Sequence, residues 1–122
     1  MAATPEDIEA ARALHDRMLG PYPEPIGDEF DRFFDITCRV LWPELWLDNT
    51  LDPRTRSLCT VAALTALDRT NVRKHIKAAL ANGASKAEIA EVITQMAFYA
   101  GWPCAGNAAR TAREVFREVD AV

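Results

Sequence analysis

The sequence has few of the residues that metal, disulfide and nucleic-acid chemistry require. Only two histidines and three cysteines occur among 122 residues, and Cys38, Cys59 and Cys104 are too widely spaced for a paired metal or disulfide motif. The net charge is −4, and the lysines and arginines are scattered along the chain, which argues against phosphate binding. No apolar run approaches the roughly 20 residues that cross a bilayer. We therefore expect neither a nucleic-acid partner nor a membrane partner.

Several familiar catalytic motifs are absent as well. The chain has no glycine-rich phosphate loop, nucleophile elbow, nucleotide fingerprint or cluster of histidines and carboxylates for a metal. We therefore expect catalysis without a cofactor and without a metal. The first residues lack the basic and apolar regions of a signal peptide. Together with the odd cysteine count, this favours a cytoplasmic protein whose thiols are reduced and buried as small apolar groups.

The apolar residues recur at helical spacing and never at strand spacing. This pattern predicts an all-α, single-domain bundle of about six helices over residues 1–122. The first helix is capped by Thr4 and ends at Gly20, and a connector containing Pro21, Pro23 and Pro25 follows. Further helical segments are predicted at 28–39, 41–46 (a short turn), from Asp52–Pro53, at 71–81, from the capping box Ser85–Glu88, and from Pro103 to about Phe116.

His75 is the main candidate for proton transfer. It lies between Val72 and Ile76, at the border of an apolar helical stripe, and an imidazole titrates near neutral pH. The alternative is a core histidine whose nitrogens are satisfied by neighbours. The other histidine, His15, is expected on the outer side of the first helix and exposed.

Two arginines and one glutamate supply the remaining charged candidates. Arg54 and Arg56 flank the start of the third helix and can clamp a carboxylate, because guanidinium binds carboxylates bidentately. The alternative is surface arginines paired with Asp52 or Glu44. Glu44 lies between two tryptophans, and burial there would raise its pKa.

Aromatic residues are candidates for the walls of a substrate pocket. Trp42, Trp46 and Trp102 could contact a substrate, although tryptophans are more often anchors of a core or an interface. Tyr99 could offer its phenol to a pocket or, equally, be a hydrogen-bonded core residue.

The chain resembles the carboxymuconolactone decarboxylase family, in its 4-carboxymuconolactone decarboxylase branch. The resemblance rests on the segments 51–58, 75–83, 85–92 and 98–103, together with Trp42-Pro43-Glu44-Leu45-Trp46. It covers roughly residues 28–118, preceded by an N-terminal helix and proline-rich connector at 1–27. It implies an orthogonal helical bundle of the alkylhydroperoxidase D type that assembles into homotrimers or homohexamers.

The resemblance implies decarboxylation of a carboxylated muconolactone to the enol-lactone in aromatic catabolism. His75, Glu44 and Arg54 would be catalytic. The substrate, a small carboxylate, would contact Arg56, Trp42, Trp46, Tyr99 and Trp102. Two alternatives stay open. One is a cofactor-free decarboxylase or cyclase acting on another aromatic or polyketide-like acid, and the other is a non-catalytic oligomeric binding protein.

Thiol peroxidases of the same superfamily carry cysteines seven and four residues before the histidine. Asp68 and Asn71 occupy these positions here, and Ser57 replaces a glutamate. Because disulfide chemistry needs a thiolate and a partner, we do not expect a thiol peroxidase. The turn before His75 is also one residue shorter than usual in the family and lacks its glycine, which leaves the aim of the imidazole open.

Overall fold

The computed structural model describes residues 3–22 and 24–121, and within these ranges it contains helices and no strand. This confirms the all-α prediction. The six α-helices of the described ranges are α1 (Pro5–Leu19), α2 (Asp31–Ile36), α3 (Pro53–Ala66), α4 (Val72–Ala81), α5 (Lys86–Ala100) and α6 (Trp102–Asp120). A 3₁₀ turn (Asp28–Phe30) and a π-helix (Thr37–Trp46) precede and follow α2. Pro23 of the predicted connector lies outside the described residues.

The contacts of the backbone divide the chain into two compact units. The first comprises Met1–Pro53 and the second Arg54–Val122. Among the described residues, no helix is both long and apolar enough to cross a bilayer.

In the first unit, α1 begins as its sequence predicts. Thr4 and Asp7 form a reciprocal capping box, and Pro5 occupies the first turn. The prediction for His15 was wrong, because the imidazole is buried with 6% exposure. Its Nδ1 lies 3.0 Å from the carbonyl oxygen of Gly20, and its ring meets Tyr22 and Trp42 edge-on. Helical spacing cannot show that the chain turns back at Gly20 (φ 86°) and covers this face.

The predicted break at Arg39 was also wrong. The helical path continues from the end of α2 through the π-helix as far as Trp46, with Pro43 inside it. Proline removes a backbone donor, and its ring collides with a carbonyl four residues earlier in an α-helix. The wider π turn relieves that collision, so the proline widens the helix here and does not end it.

The second unit is built around helices α4, α5 and α6. Val61, Ile76, Ile89 and Val115 are fully buried. The face of α6 toward this core carries small side chains, which allow close approach of the neighbouring helices: Ala105, Ala108 and Ala112. The expected burial of Cys59 was wrong: its side chain is exposed, whereas Cys38 and Cys104 are half-buried, and all three are free.

The helix boundaries of this unit are set by local chemistry. Ser85 and Glu88 form the predicted capping box at the start of α5. At the end of α4, Gly83 adopts φ 97°, and its N–H donates to Leu80 O at 3.1 Å while Ala84 N–H donates to Ala79 O at 2.9 Å. These two bonds are the Schellman arrangement, in which glycine is favoured at the left-handed position.

The end of α3 has the same arrangement, but an aspartate takes the place of glycine. Arg69 N–H donates to Leu64 O (2.9 Å), and Asp68 N–H donates to Thr65 O (3.1 Å). Asp68 has φ 54° and is the single described residue other than glycine with positive φ. Its carboxylate accepts a 3.1 Å hydrogen bond from Asn107 Nδ2 on α6. This contact holds the short turn that precedes His75 against α6.

We expect Asp68→Gly to be more stable than Asp68→Ala by about 1 kcal/mol, because the left-handed region costs an L residue about 1–2 kcal/mol. Both variants lose the carboxylate, so their difference isolates the backbone. Urea denaturation of the two proteins measures it. Equal free energies of unfolding would show that the turn is not held in this conformation.

Candidate active site

His75 is positioned by the packing of α4. The adjacent Ile76 is fully buried, and Val72 and Ala79 join it in the core of the second unit. This fixes the rotation of α4 and leaves the imidazole of His75 half-buried beside the apolar stripe. Its Nδ1 is shielded from solvent and makes no hydrogen bond to any described residue. The alternative of a core histidine satisfied by its neighbours therefore does not fit this nitrogen.

The pKa of His75 is lowered from 6.5, first by burial and then by the positive charge of Lys74. The geometry at Nδ1 agrees with this direction, because the imidazolium carries an N–H on both nitrogens. Protonation would place a donor at Nδ1, where no described residue accepts it, and a buried unpaired donor is costly. The free protein therefore holds His75 mainly in its neutral form at pH 7.

Arg54 lies in the first turn of α3 and is ion-paired with Glu88 of α5 through Nη2 and Oε2. The other oxygen of Glu88 accepts the backbone N–H of Ser85 at 2.9 Å. The capping glutamate therefore holds the guanidinium at the start of α5. Guanidinium has five N–H donors, and this pair leaves others for a ligand.

Glu88 also lines an open groove between α3 and α5 of about 450 Å³. Its other walls are mainly apolar and come from one face of each helix: Thr55, Leu58, Cys59, Ala62, Glu91, Val92, Gln95 and Met96. The two charged residues that line the groove, Glu88 and Glu91, are both acidic. His75 is not among the residues that line it.

Arg56 and Ser57 follow Arg54 near the start of α3. Arg56 is half-buried. Ser57 is fully buried, and its Oγ accepts a 2.9 Å hydrogen bond from Asn82 Nδ2. This hydrogen bond ties α3 to the end of α4.

Three of the predicted site residues belong to the first unit. Trp42 and Trp46 are buried, with ring centroids 5.6 Å apart. Glu44, which lies between them in sequence, is exposed. The apolar setting predicted for this carboxylate was therefore wrong, because the two indoles turn inward on the helix while Glu44 faces outward.

Tyr99 and Trp102 lie where α5 passes into α6. Tyr99 is 81% exposed and Trp102 is 63% exposed, and the indole packs edge-on against Phe98 with ring centroids 5.0 Å apart. Tyr99 is therefore not a core residue. These three rings form an exposed aromatic cluster on the second unit.

Within the second unit, the structure brings Arg54 to Glu88 rather than to His75. Sequence reasoning identified Glu88 as a helix cap but missed it as the partner of Arg54, because the two residues are 34 positions apart (88 − 54). The capping box was the available signal, since it fixes the carboxylate at the start of α5. No group of three or more potential metal ligands occurs among residues 3–22 and 24–121.

Comparison with known proteins adds the family context. The sequence model of the carboxymuconolactone decarboxylase family matches residues 31–114. A 4-carboxymuconolactone decarboxylase of Acinetobacter baylyi is 37% identical over 97 residues, which are 79% of this chain and 72% of that protein. An uncharacterized 15.0 kDa protein of Paracoccus denitrificans, from the nqo9-nqo10 intergenic region, is 40% identical over 85 residues, and these make up 63% of either chain.

Proposed function

The chain belongs to the carboxymuconolactone decarboxylase family, and from that premise we propose that it is a carboxy-lyase acting on a carboxylated muconolactone in aromatic catabolism. The observation that carries the proposal is the half-buried imidazole of His75, which has a dry Nδ1 and lies inside the segment matched by the family. The identity to a decarboxylase over 79% of the chain supports it. The proposal includes a cytoplasmic location and no cofactor.

The proposed reaction requires the protein to supply positive charge and a proton. The bond between the ring carbon and the carboxylate breaks, CO₂ leaves, and the electron pair spreads through the double bond onto the lactone carbonyl. A proton then adds to carbon and gives the enol-lactone. The protein must bind a dianion, stabilise the developing negative charge and deliver the proton.

Arg54 and Arg56 are the proposed binding groups for the carboxylate and the developing oxyanion. Because Glu88 engages one nitrogen of Arg54, the side chain is oriented before substrate arrives, which reduces the entropy lost on binding. Arg56 supplies a second cation one half-turn further along α3.

Glu44 is proposed to orient His75 or to serve as a second acid–base group. Trp42, Trp46, Tyr99 and Trp102 are proposed as pocket walls that disfavour a hydrated carboxylate. The exposure of Glu44, Tyr99 and Trp102 leaves these side chains accessible to a substrate.

His75 is the proposed proton donor. Its lowered pKa keeps the free protein neutral at this position, but a bound dianion favours the imidazolium because opposite charge stabilises the charged form. Substrate binding would therefore favour protonation of His75, and His75 would then donate this proton in the reaction.

We expect purified protein to convert carboxymuconolactone, followed spectrophotometrically, and His75→Ala and His75→Gln to lower kcat by about 10²- to 10⁴-fold. Arg54→Ala should lower kcat/KM by about 10- to 100-fold, since a hydrogen bond to a charged group is lost. Lys77→Gln, at an exposed position on the same helix as His75, is the matched control and should retain activity.

Normal turnover in both histidine variants would contradict the role of His75. Absence of turnover in the parent protein, with circular dichroism showing intact helices, would overturn the proposed substrate. Turnover of another aromatic acid by that same preparation would then identify the alternative decarboxylase or cyclase.

The pH profiles of kcat/KM and kcat report the pKa of His75 in the free protein and in the substrate complex, respectively. We expect kcat/KM, which reports the free enzyme, to fall as pH rises through a pKa below 6.5, because the donor is lost. The fall in kcat, which reports the bound state, should come at higher pH. Lys74→Gln should shift the fall in kcat/KM to higher pH, because it removes a positive charge that lowers the pKa of His75. A kcat/KM that rises through this range would indicate a base instead of an acid.

We also propose that the protein assembles into a homotrimer or homohexamer. The exposed cluster of Phe98, Tyr99 and Trp102 supports this, because monomeric proteins rarely expose contiguous aromatic patches without a partner.

Light scattering should give three or six times the 13.5 kDa chain mass, and Phe98→Asp should lower the measured mass. Val119→Asp, another exposed apolar position, should leave the mass unchanged. A monomeric parent protein would contradict the proposed assembly.

A further inference from the structure

The first unit carries an apolar face that stays exposed along α2 and the π-helix. Its side chains are between 38% and 62% exposed: Phe33, Ile36, Val40, Leu41 and Leu45. Neighbouring members of this set are three to five residues apart, which is about one turn of an α-helix or a π-helix. They therefore lie on one face of the helical path, which we call the exposed stripe.

The exposed stripe is separate from the face by which this helix packs in its own unit. That inner face contains Trp42 and Trp46, which are buried. A third side of the helix collects the exposed charged residues: Asp31, Arg32, Asp35, Arg39 and Glu44. A helix whose whole outer surface is solvated carries polar residues opposite its buried face. Here the charges are gathered to one side, and the rest of the outer surface is apolar.

The area of the exposed stripe suits a protein partner. At about 200 Å² for a whole side chain of this size, the exposed fractions leave about 450 Å² of apolar surface on each chain. A standard interface buries about 800 Å² from each partner, and a little over half of that area is apolar. The stripe therefore supplies the apolar part of one interface of ordinary size.

Two of the neighbouring charges have no ion-pair partner among the described residues. Arg39 pairs with Asp35, with Nε and Oδ1 2.7 Å apart, but Arg32 and Glu44 are in no such pair. They are twelve residues apart (44 − 32), which is about three turns of this helical path, so both border the stripe on the same side. Helices that lie on membranes carry mainly Lys and Arg beside their apolar face. The mixed charges here favour a protein surface of opposite pattern.

A second copy of the chain has that opposite pattern. Arg32 lies four residues before Ile36, and Glu44 lies three residues after Leu41. In an antiparallel pair related by a twofold axis between Ile36 and Leu41, Arg32 of each chain therefore lies beside Glu44 of the other. A parallel pair would instead place each charge beside its own copy, and like charges at an interface are unfavourable.

We propose that two copies of the chain pair antiparallel through their exposed stripes, about a twofold axis between Ile36 and Leu41. The apolar side chains form the centre of this interface, and two Arg32–Glu44 ion pairs lie at its rim. The twofold is supported by the stripe alone, whereas the chain number rests on the assembly proposed above. Because a trimer has no twofold axis, the two contacts together give a homohexamer and not a homotrimer.

Light scattering of the full chain tests the pairing through Val40. Val40→Asp places a charge in the middle of the stripe and should halve the mass, from six chains to three. Val119→Asp is the matched control, because Val119 is also 44% exposed but lies on α6, and its mass should equal that of the parent. Phe98→Asp should leave two chains, since it removes the threefold contact only. Circular dichroism should show equal helix content in all of these proteins.

Charge reversal tests the register of the pair. Arg32→Glu and Glu44→Arg each place like charges together, and the twofold repeats the contact, so each should raise the dissociation constant about tenfold. The double variant restores opposite charges and should return to within about threefold of the parent. Sedimentation over a dilution series measures this, and activity is not the readout because Glu44 is also proposed for the catalytic site. These exposed positions decide the question if Val40→Asp loses helix content.

The masses separate this pairing from the threefold assembly. A parent protein of three chains would overturn the twofold and leave the trimer standing. A parent of two chains that Val40→Asp makes monomeric would support the twofold and contradict the trimer, and a monomeric parent would contradict both.

Two further results would overturn the pairing. One is an unchanged mass in folded Val40→Asp, or a double charge variant that associates no more tightly than the single ones. The other is co-sedimentation of the parent protein, but not of Val40→Asp, with phosphatidylcholine vesicles, because a lipid surface would then cover the stripe.

Discussion

The second unit depends on how tightly α4 packs into its core. Ile76 is fully buried, and Val72 and Ala79 extend the same face against the alanines of α6. A helix in a close-packed core cannot rotate far about its axis, because even the packing of one methylene group affects stability. The helix is therefore held in one rotation, and His75 must lie at the edge of the buried face. The position of the imidazole is a consequence of the packing of its neighbours.

That position explains why His75 suits a reaction with an anionic substrate. A dry Nδ1 and a neighbouring lysine hold the pKa below 6.5. A nearby negative charge would reverse this preference. A dianionic substrate supplies that charge, so substrate binding and protonation of His75 would be linked.

Residues at the ends of helices make two contacts that join distant segments of the second unit. Glu88 caps α5 and at the same time holds Arg54, so one carboxylate joins a folding signal to a candidate binding group. Asp68 ends α3 in a conformation that glycine usually supplies, and Asn107 fastens it to α6. Both contacts join residues more than thirty positions apart, and both shape a cavity or groove nearby.

The sequence by itself determined the helices with clear caps, because caps and apolar spacing are local, but it did not predict that the helical path continues past Arg39 to Trp46. The cap at Thr4, the capping box at Ser85 and the end of α4 were predictable for that reason. It also supplied the candidate residues, whose roles stay predictions. Only the tertiary structure decided burial and pairing: His15 is inside, Glu44 is outside, Arg54 meets Glu88, and Thr65 has no partner among the described residues. These outcomes depend on which distant segments meet, and helical periodicity contains no information about that.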